Sequence, residues 1–145
     1  MFNKETEYAL RALVYIQLQN FSERRPGIVE IAKEIDAPQS FSAKILQRMV
    51  KQGVVKSLKG KGGGFFFDKE KDDLLIKDLV SLIGGNKLLT ECGFGLKHCD
   101  CNNPCPLHDQ YLPIKEAVNN LVSSESIQSL AKKYTKGLFI KTNNI

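Results

Sequence analysis

The residues best suited to chemistry lie in one short segment, 92–108. It contains all four cysteines and both histidines of the 145-residue chain: Cys92, Cys99, Cys101, Cys105, His98 and His108. Thiolates and imidazoles are the ligands that iron-sulfur clusters, zinc and copper(I) accept. Their concentration in one place indicates a soft metal centre or a reactive thiol site.

The same segment is unsuited to regular secondary structure. Gly93, Gly95, Pro104 and Pro106 interrupt any helix or strand that might cross it. We therefore expect a loop whose shape depends on something other than backbone hydrogen bonding, and a bound metal centre would supply it.

Several kinds of centre need cysteines: an iron-sulfur cluster, a zinc ion and a thiol–disulfide switch. The spacing Cys-x-Cys-x3-Cys over 99–105 differs from the paired Cys-x2-Cys of many zinc sites, which argues against structural zinc. An electron carrier or thiol oxidoreductase is a further alternative. An oxidoreductase would usually show Cys-x-x-Cys near a βαβ pattern, and both histidines lie inside the segment, so no separate catalytic group remains. We predict that the chain is not an enzyme.

The length of 145 residues fits one domain, or one small domain with an appended segment. The first residues are polar and charged, and no run approaches the 18 or so apolar residues of a membrane span, so we expect a cytoplasmic protein with no membrane partner. In that reducing compartment, clustered cysteines hold metal or sense oxidants more often than they form structural disulfides.

Charge is unevenly distributed along the chain. Residues 1–67 contain 11 Lys or Arg against 6 Asp or Glu, whereas residues 68–145 contain 10 against 10. All of the formal net charge of +5 therefore lies in the first half. A basic first half indicates a polyanionic partner.

Three helices are expected in this basic half, over 5–19, 28–35 and 38–52. Pro38 suits the first position of the third helix, and Gly53 suits its C-terminal cap. The second and third helices are joined by a tight turn, which makes them a helix-turn-helix candidate.

The third helix has two distinct faces. An apolar stripe contains Phe41, Ile45, Met49 and Val50. The candidate DNA-reading residues are small, amide or cationic and include no carboxylate: Ser40, Ser42, Lys44, Gln47, Arg48 and Lys51. Such side chains read base edges and hold phosphates, although an ordinary solvated helix face is the alternative.

A hairpin is expected directly after this helix, with strands at 54–59 and 64–67 around a glycine-rich tip. Lys59, Lys61 and Gly62 lie at that tip, where they can contact the phosphate backbone beside a groove. The tip lacks the Gly-Lys-Ser/Thr ending of a nucleotide-phosphate loop and is not followed by a helix. We therefore predict a wing and a double-stranded DNA operator as partner.

The second half is expected to be helical. An apolar helix over 74–83 ends at Gly84, and a last short helix over 126–134 is capped by Ser126. Between them, apolar residues recur at intervals of four, three, four and three: Leu107, Tyr111, Ile114, Val118 and Leu121. This heptad seam can pair two chains or pack on the chain's own core. Pro113 lies within it, so the helix must kink or begin there.

The whole chain resembles the Rrf-two family of bacterial transcription regulators. The resemblance rests on Tyr8–Leu13, Glu30–Ala32, Gly53–Val55, Gly60–Gly64 and the cysteine loop before a long helix. It implies a mainly α winged helix-turn-helix homodimer, in which the long helix pairs the subunits and the loop holds an iron-sulfur cluster near the partner's DNA-binding domain. The implied divisions are a DNA-binding domain 1–67, a connecting helix 68–91, the cysteine loop 92–108, dimerisation and C-terminal helices 109–135, and a tail 136–145.

The resemblance also implies a ligand set. Cys92, Cys99 and Cys105 match the three cluster cysteines, and His108 matches the histidine that completes the site in one branch of the family. Glu7 matches the acidic ligand that the partner subunit's first helix supplies in another branch. Here the first gap is six residues where the family usually has five, and Cys101 is an additional thiol within reach. The fourth ligand and the choice between a 2Fe-2S and a 4Fe-4S cluster stay open.

Overall fold

The computed structural model describes residues 2–85, 87–97 and 101–134. Nine elements follow one another in this part of the chain: α1 Lys4–Phe21, α2 Ile28–Glu34, α3 Gln39–Lys51, β1 Lys56–Leu58, β2 Gly64–Phe66, α4 Ile76–Ile83, α5 Lys87–Thr90, α6 His108–Ser124 and α7 Ile127–Tyr134. The predicted fold, mainly α with a two-stranded wing, is confirmed. The predicted tail at 136–145 lies outside the described residues.

Helix α1 is the centre of the fold. Asn3 caps it by accepting a hydrogen bond from the Thr6 N–H at 2.8 Å. Apolar residues cover most of its circumference, so it is buried on several sides and packs against α2, α3, α4 and α7. The main core is built around it.

The helix-turn-helix consists of α2 and α3. Asp36, in the turn between them, has a left-handed backbone with φ of 53°, which aspartate tolerates better than most residues. Pro38 is the N-cap of α3 and has an extended ψ of 133°, so the helix begins at Gln39, one residue later than expected. The buried face of α3 follows a spacing of i, i+3, i+4 and i+7: Ser42, Ile45, Leu46 and Met49.

The wing is an antiparallel pair in which Lys56 faces Phe66 and Leu58 faces Gly64. Its strands are shorter than predicted, because the Val54 N–H bonds back to the Met49 carbonyl at 2.9 Å and keeps residue 54 in the turn that closes α3.

The segment before α2 binds the free edge of β2. The Phe65 N–H donates to the Pro26 carbonyl at 2.9 Å. The side chain of Asn20 accepts from the Phe67 N–H at 2.9 Å and donates to the Phe65 carbonyl at 3.3 Å. The wing is thereby fixed to the end of α1.

In the second half, α4 ends where Gly84 adopts a left-handed conformation with φ of 88°, as predicted. The Ser126 hydroxyl accepts from the Ser129 N–H at 2.9 Å, which confirms the cap of the last helix. That helix, α7, returns to pack against α1. Pro113 lies inside α6, which begins at His108, so the helix does not start at the proline.

Helix α6 is mostly uncovered. Val122 is its buried residue, and Val118 packs beside it against Ile76 and Val80 of α4. The exposed large apolar side chains of this helix and its N-cap are Leu107, Leu112, Ile114 and Leu121. The predicted seam is therefore divided between the chain's own core and solvent.

Candidate DNA interface and cysteine loop

Four of the predicted DNA-reading residues lie on the exposed side of α3. Ser40, Lys44, Gln47 and Lys51 are exposed along the helix. Phe41, expected on the apolar stripe, is 38% exposed and packs edge-on against the ring of Tyr8 at 5.5 Å. The polar face of α3 is therefore exposed and can enter a DNA groove.

Ser42 does not belong to this face, contrary to the expectation from its residue type. It is 1% exposed, and its hydroxyl donates to the Pro38 carbonyl at 2.9 Å. The sequence contained the signal that was missed, because Ser42 shares the i, i+3, i+4, i+7 stripe with the buried apolar residues.

Arg48 is also held by the protein itself. Its Nη1 lies 3.0 Å from Glu5 Oε1 at the start of α1, and its Nη2 donates to the Leu82 carbonyl at 2.8 Å. Leu82 is in the last turn of α4, where carbonyl groups lack helical partners and a positive charge is favoured. Arg48 therefore joins three helices, and its contact with DNA stays a prediction.

The wing tip is exposed at Lys59, Lys61 and Gly62. Gly62 has φ of 79°, and at Gly63 a Cβ atom would lie 2.2 Å from the Leu58 carbonyl oxygen. The tight turn therefore requires glycine. Between the tip and α3 lies a groove of about 510 Å³, lined by Gln47 of α3 and Lys59 of the wing among others.

A hydrogen-bond network outside the predicted site joins the buried Tyr15 to the more exposed Glu30 and Arg24, and it positions α2. The Tyr15 hydroxyl donates to Glu30 Oε2 at 2.8 Å, and Arg24 pairs with Glu30 Oε1 at 2.8 Å. Burial, and then the hydrogen bond to the Glu30 carboxylate, raise the pKa of Tyr15 to about 12. This contact between α1 and α2 fixes the helix that precedes the candidate recognition helix.

In the cysteine loop, the structure brings Cys92 and Cys105 together. Their sulfur atoms lie 3.7 Å apart, although thirteen positions separate them in the chain. Hydrogen bonds from the backbone N–H groups of Leu96 and Phe94 lower the pKa of the Cys92 thiol and favour its thiolate. Thiolate is the form that binds metal.

The loop is anchored on the start of α6. At Gly93, a Cβ atom would lie 2.8 Å from the ring of Tyr111, so only glycine allows this approach. The His108 N–H donates to the Cys105 carbonyl at 3.0 Å, which places the histidine one turn after that cysteine.

Among the described residues, the other predicted ligands are not grouped with Cys92 and Cys105 as a metal site. Cys101 is exposed, and Cys99 and His98 lie outside the described residues. Glu7, in the first turn of α1, pairs with Lys4 at 3.4 Å. Within the described ranges, no three Cys, His, Asp or Glu side chains are grouped as a metal site.

The fold and the exposed cationic α3 and wing define a winged helix-turn-helix DNA-binding protein. The chain belongs to the Rrf2 (Rrf-two) family, whose model, described as "Iron-dependent Transcriptional regulator", matches residues 2–133. It is 33% identical over 141 residues to an HTH-type transcriptional regulator of Aquifex aeolicus, covering 96% of each chain. The family and this relative are transcriptional regulators, not enzymes.

Solved structures share the fold. CymR, the global cysteine regulator of B. subtilis, superimposes with a TM-score of 0.72 at 18% identity, covering 92% of this chain and 97% of that one. IscR of T. potens gives a TM-score of 0.69 at 17% identity, covering 95% and 91%. Within the described ranges, every helix falls short of the length and apolar character that a membrane span requires.

Proposed function

We propose that this regulator binds its operator as a homodimer and that an iron-sulfur cluster controls its affinity. Cys92, Cys99 and Cys105 hold the cluster, and Glu7 of the partner subunit or His108 completes it. Cys101 is not a ligand. The family's description as iron-dependent supports iron as the metal.

The distance between Cys92 and Cys105 carries the proposal. Metal–sulfur bonds of about 2.3 Å in a tetrahedral site place two ligand sulfurs about 3.8 Å apart. The observed 3.7 Å, a thiol–thiol hydrogen bond, lies close to this value. The two thiols are near enough to bind one metal centre.

The cluster, when bound, supplies iron that responds to oxidants and to nitric oxide. The protein's own groups prepare the site: the N–H groups of Leu96 and Phe94 stabilise the Cys92 thiolate, and Gly93 fits the loop against Tyr111. These contacts join the loop to the first turns of α6, so loop order and helix position are coupled.

DNA contacts are divided between two elements. Ser40, Lys44 and Gln47 enter the major groove, and Lys59 and Lys61 hold the backbone beside it. The exposure of all five residues supports this arrangement, as does the groove that Gln47 and Lys59 line together.

A thiol–disulfide switch is the second candidate, because the Cys92 thiol has a lowered pKa and lies beside Cys105. A peroxide would take two electrons and two protons from the pair to form one disulfide and water. CymR, a neighbour in fold, is named for its role as a cysteine regulator.

Replacing each cysteine singly by serine tests the proposal. Protein purified without oxygen is analysed for visible absorption, iron and acid-labile sulfide. We expect iron and acid-labile sulfide in the wild-type protein, loss of the chromophore in Cys92→Ser, Cys99→Ser and Cys105→Ser, and an unchanged spectrum in the matched control Cys101→Ser.

Three results contradict the cluster assignment. A colourless wild-type protein that contains zinc would support a zinc site. A colourless protein that contains no metal and forms a Cys92–Cys105 disulfide with peroxide would support a thiol–disulfide switch. A bleached Cys101→Ser beside a coloured Cys92→Ser would show that the ligand set is wrong.

A further inference from the structure

The two faces of the wing hairpin differ. Because side chains alternate along a strand, the pair Ser57 and Phe65 points to one face and the pair Lys56 and Phe66 to the other. Ser57 and Phe65 line the groove shared with α3. Lys56 and Phe66 line a different cavity, on the face of the wing that points away from α3.

This second cavity, of about 420 Å³, is rich in cations. Three of them are paired with carboxylates: Arg24 with Glu30 at 2.8 Å, Lys56 with Asp68 at 3.2 Å, and Lys69 with Glu23 at 3.3 Å. The fourth is Arg25. Among the described residues, Arg25 contacts an aromatic ring: its guanidinium carbon lies 4.1 Å from the centre of the Phe66 ring.

Arg25 is fixed to the wing through its backbone. The next residue, Pro26, accepts the hydrogen bond from the Phe65 N–H at 2.9 Å. At Gly64, a Cβ atom would lie 2.2 Å from the Arg25 carbonyl oxygen, so the two segments are in direct contact. A movement of the wing therefore carries Arg25 with it.

A hairpin that enters a minor groove lies between two phosphodiester backbones, because that groove is only about 6 Å wide. Lys59 borders the groove shared with α3 and can meet the nearer backbone. The other backbone must then pass the face that carries Phe66. A guanidinium stacked on a ring keeps its N–H edge free, and that edge matches two phosphate oxygens.

We propose that Arg25 is a further DNA contact, which binds a backbone phosphate on the face of the wing that points away from α3. This inference rests on the proposed DNA binding by the wing. The Phe66 ring packs against the guanidinium and orients it towards the phosphate. Arg25 thus acts with Lys59 to hold both sides of the inserted hairpin.

Two variants of the full chain separate charge from packing. Arg25→Gln keeps a planar group over Phe66 but removes the charge, whereas Arg25→Lys keeps the charge. Lys77→Ala, at an exposed lysine of α4, is the control for the loss of one positive charge. Affinity is measured by fluorescence anisotropy from 50 to 200 mM salt, on a duplex selected by the protein from a random library and on an unrelated duplex of equal length.

We expect Arg25→Gln to weaken binding to both duplexes by similar factors and to reduce the salt slope by about one. The loss should then be about 3.5-fold larger at 50 mM than at 200 mM salt. Arg25→Lys should keep the wild-type slope, and Lys77→Ala should behave as wild type.

An unchanged slope in Arg25→Gln, with a reduced slope in Lys61→Ala, would overturn the role of Arg25 and leave DNA binding by the wing intact. A weakened Arg25→Gln that melts at lower temperature and is not rescued by Arg25→Lys would show a packing role, which also overturns the inference. If the wild-type protein selects no duplex, the proposed function itself fails.

Discussion

At the scale of single residues, several side chains fix the helices of the candidate DNA-binding domain in position. Tyr15 is an example, since its hydroxyl donates a hydrogen bond to the Glu30 carboxylate, which also forms an ion pair with Arg24. A hydrogen bond to a charged group contributes more than one between neutral groups. The network therefore sets the position of α2 against α1.

Tyr15→Phe should lower the free energy of unfolding by about 1–2 kcal/mol at pH 7, because the ring stays and the hydrogen bond is lost. The folded pKa of about 12 lies above the ordinary value of 10, so the contribution is complete below pH 10 and falls as pH rises from 10 to 12. Urea unfolding at pH 7 and at pH 11.5 measures both effects.

Tyr8→Phe is the matched control, because it removes a hydroxyl from another ring of α1 that packs against Phe41. The Tyr15 account is wrong if the two variants have equal stability, or if Tyr15→Phe shows the same loss of stability between pH 10 and pH 12 as the wild-type protein.

At the scale of elements, Arg48 fixes the recognition helix to its neighbours. It reaches Glu5 at the beginning of α1 and the Leu82 carbonyl at the end of α4. After α4 the chain continues through Gly85, where a Cβ atom would lie 3.0 Å from Thr6 Oγ1. The chain that leads into the cysteine loop therefore passes the start of α1.

Glu5→Gln distinguishes positioning by Arg48 from direct DNA contact. If Arg48 positions α3, both Glu5→Gln and Arg48→Gln should weaken operator binding, and the double variant should lose less than the sum of the two. If Arg48 contacts DNA instead, Glu5→Gln frees the arginine and should strengthen binding. The sign of the Glu5→Gln effect, measured by anisotropy at fixed salt, decides between them.

At the scale of the whole molecule, α6 leaves an apolar face uncovered. Ile114 is 57% exposed, and Leu107 and Leu121, one heptad before and one heptad after it, are exposed with it. A second copy of the chain would bury these side chains, as the heptad spacing predicts.

Ile114→Lys should convert the proposed dimer to a monomer at micromolar concentration, because a charge is costly at an apolar interface. Light scattering after gel filtration measures the mass, and circular dichroism verifies the fold. Val29→Lys, at a 62% exposed position on α2, is the matched control and should stay dimeric. A monomeric wild-type protein would remove the dimer from the proposal.

The dimer also determines how a bound cluster could change the affinity for DNA. If Glu7 of the partner is the fourth ligand, loss of the cluster releases the first helix of each DNA-binding domain. The two candidate recognition helices then lose their fixed spacing. Glu7→Ala should then change the cluster spectrum and lower the affinity of the cluster-loaded protein, with the cluster-free protein unchanged. His108→Ala is compared in the same assays. A normal spectrum and affinity in Glu7→Ala, with both altered in His108→Ala, would assign the fourth ligand to the loop.

Much of the fold follows from the sequence. The helices other than α5, and the hairpin, were predictable because their signals are local: apolar periodicity, Gly53 and Gly84 at helix ends, and the Ser126 cap. The cysteine loop was predictable as a site for the same reason, since glycine, proline and cysteine act through spacing along the chain. Its ligand set stays a prediction.

Tertiary structure decided which side chains are available. Residue type placed Ser42 and Arg48 on the DNA face, but packing buries the first and engages the second with two other helices. The 3.7 Å approach of Cys92 to Cys105 and the stacking of Arg25 on Phe66 join residues that are distant in the chain. Such contacts depend on how the helices and the wing are arranged around α1, and periodicity along the sequence does not encode that arrangement.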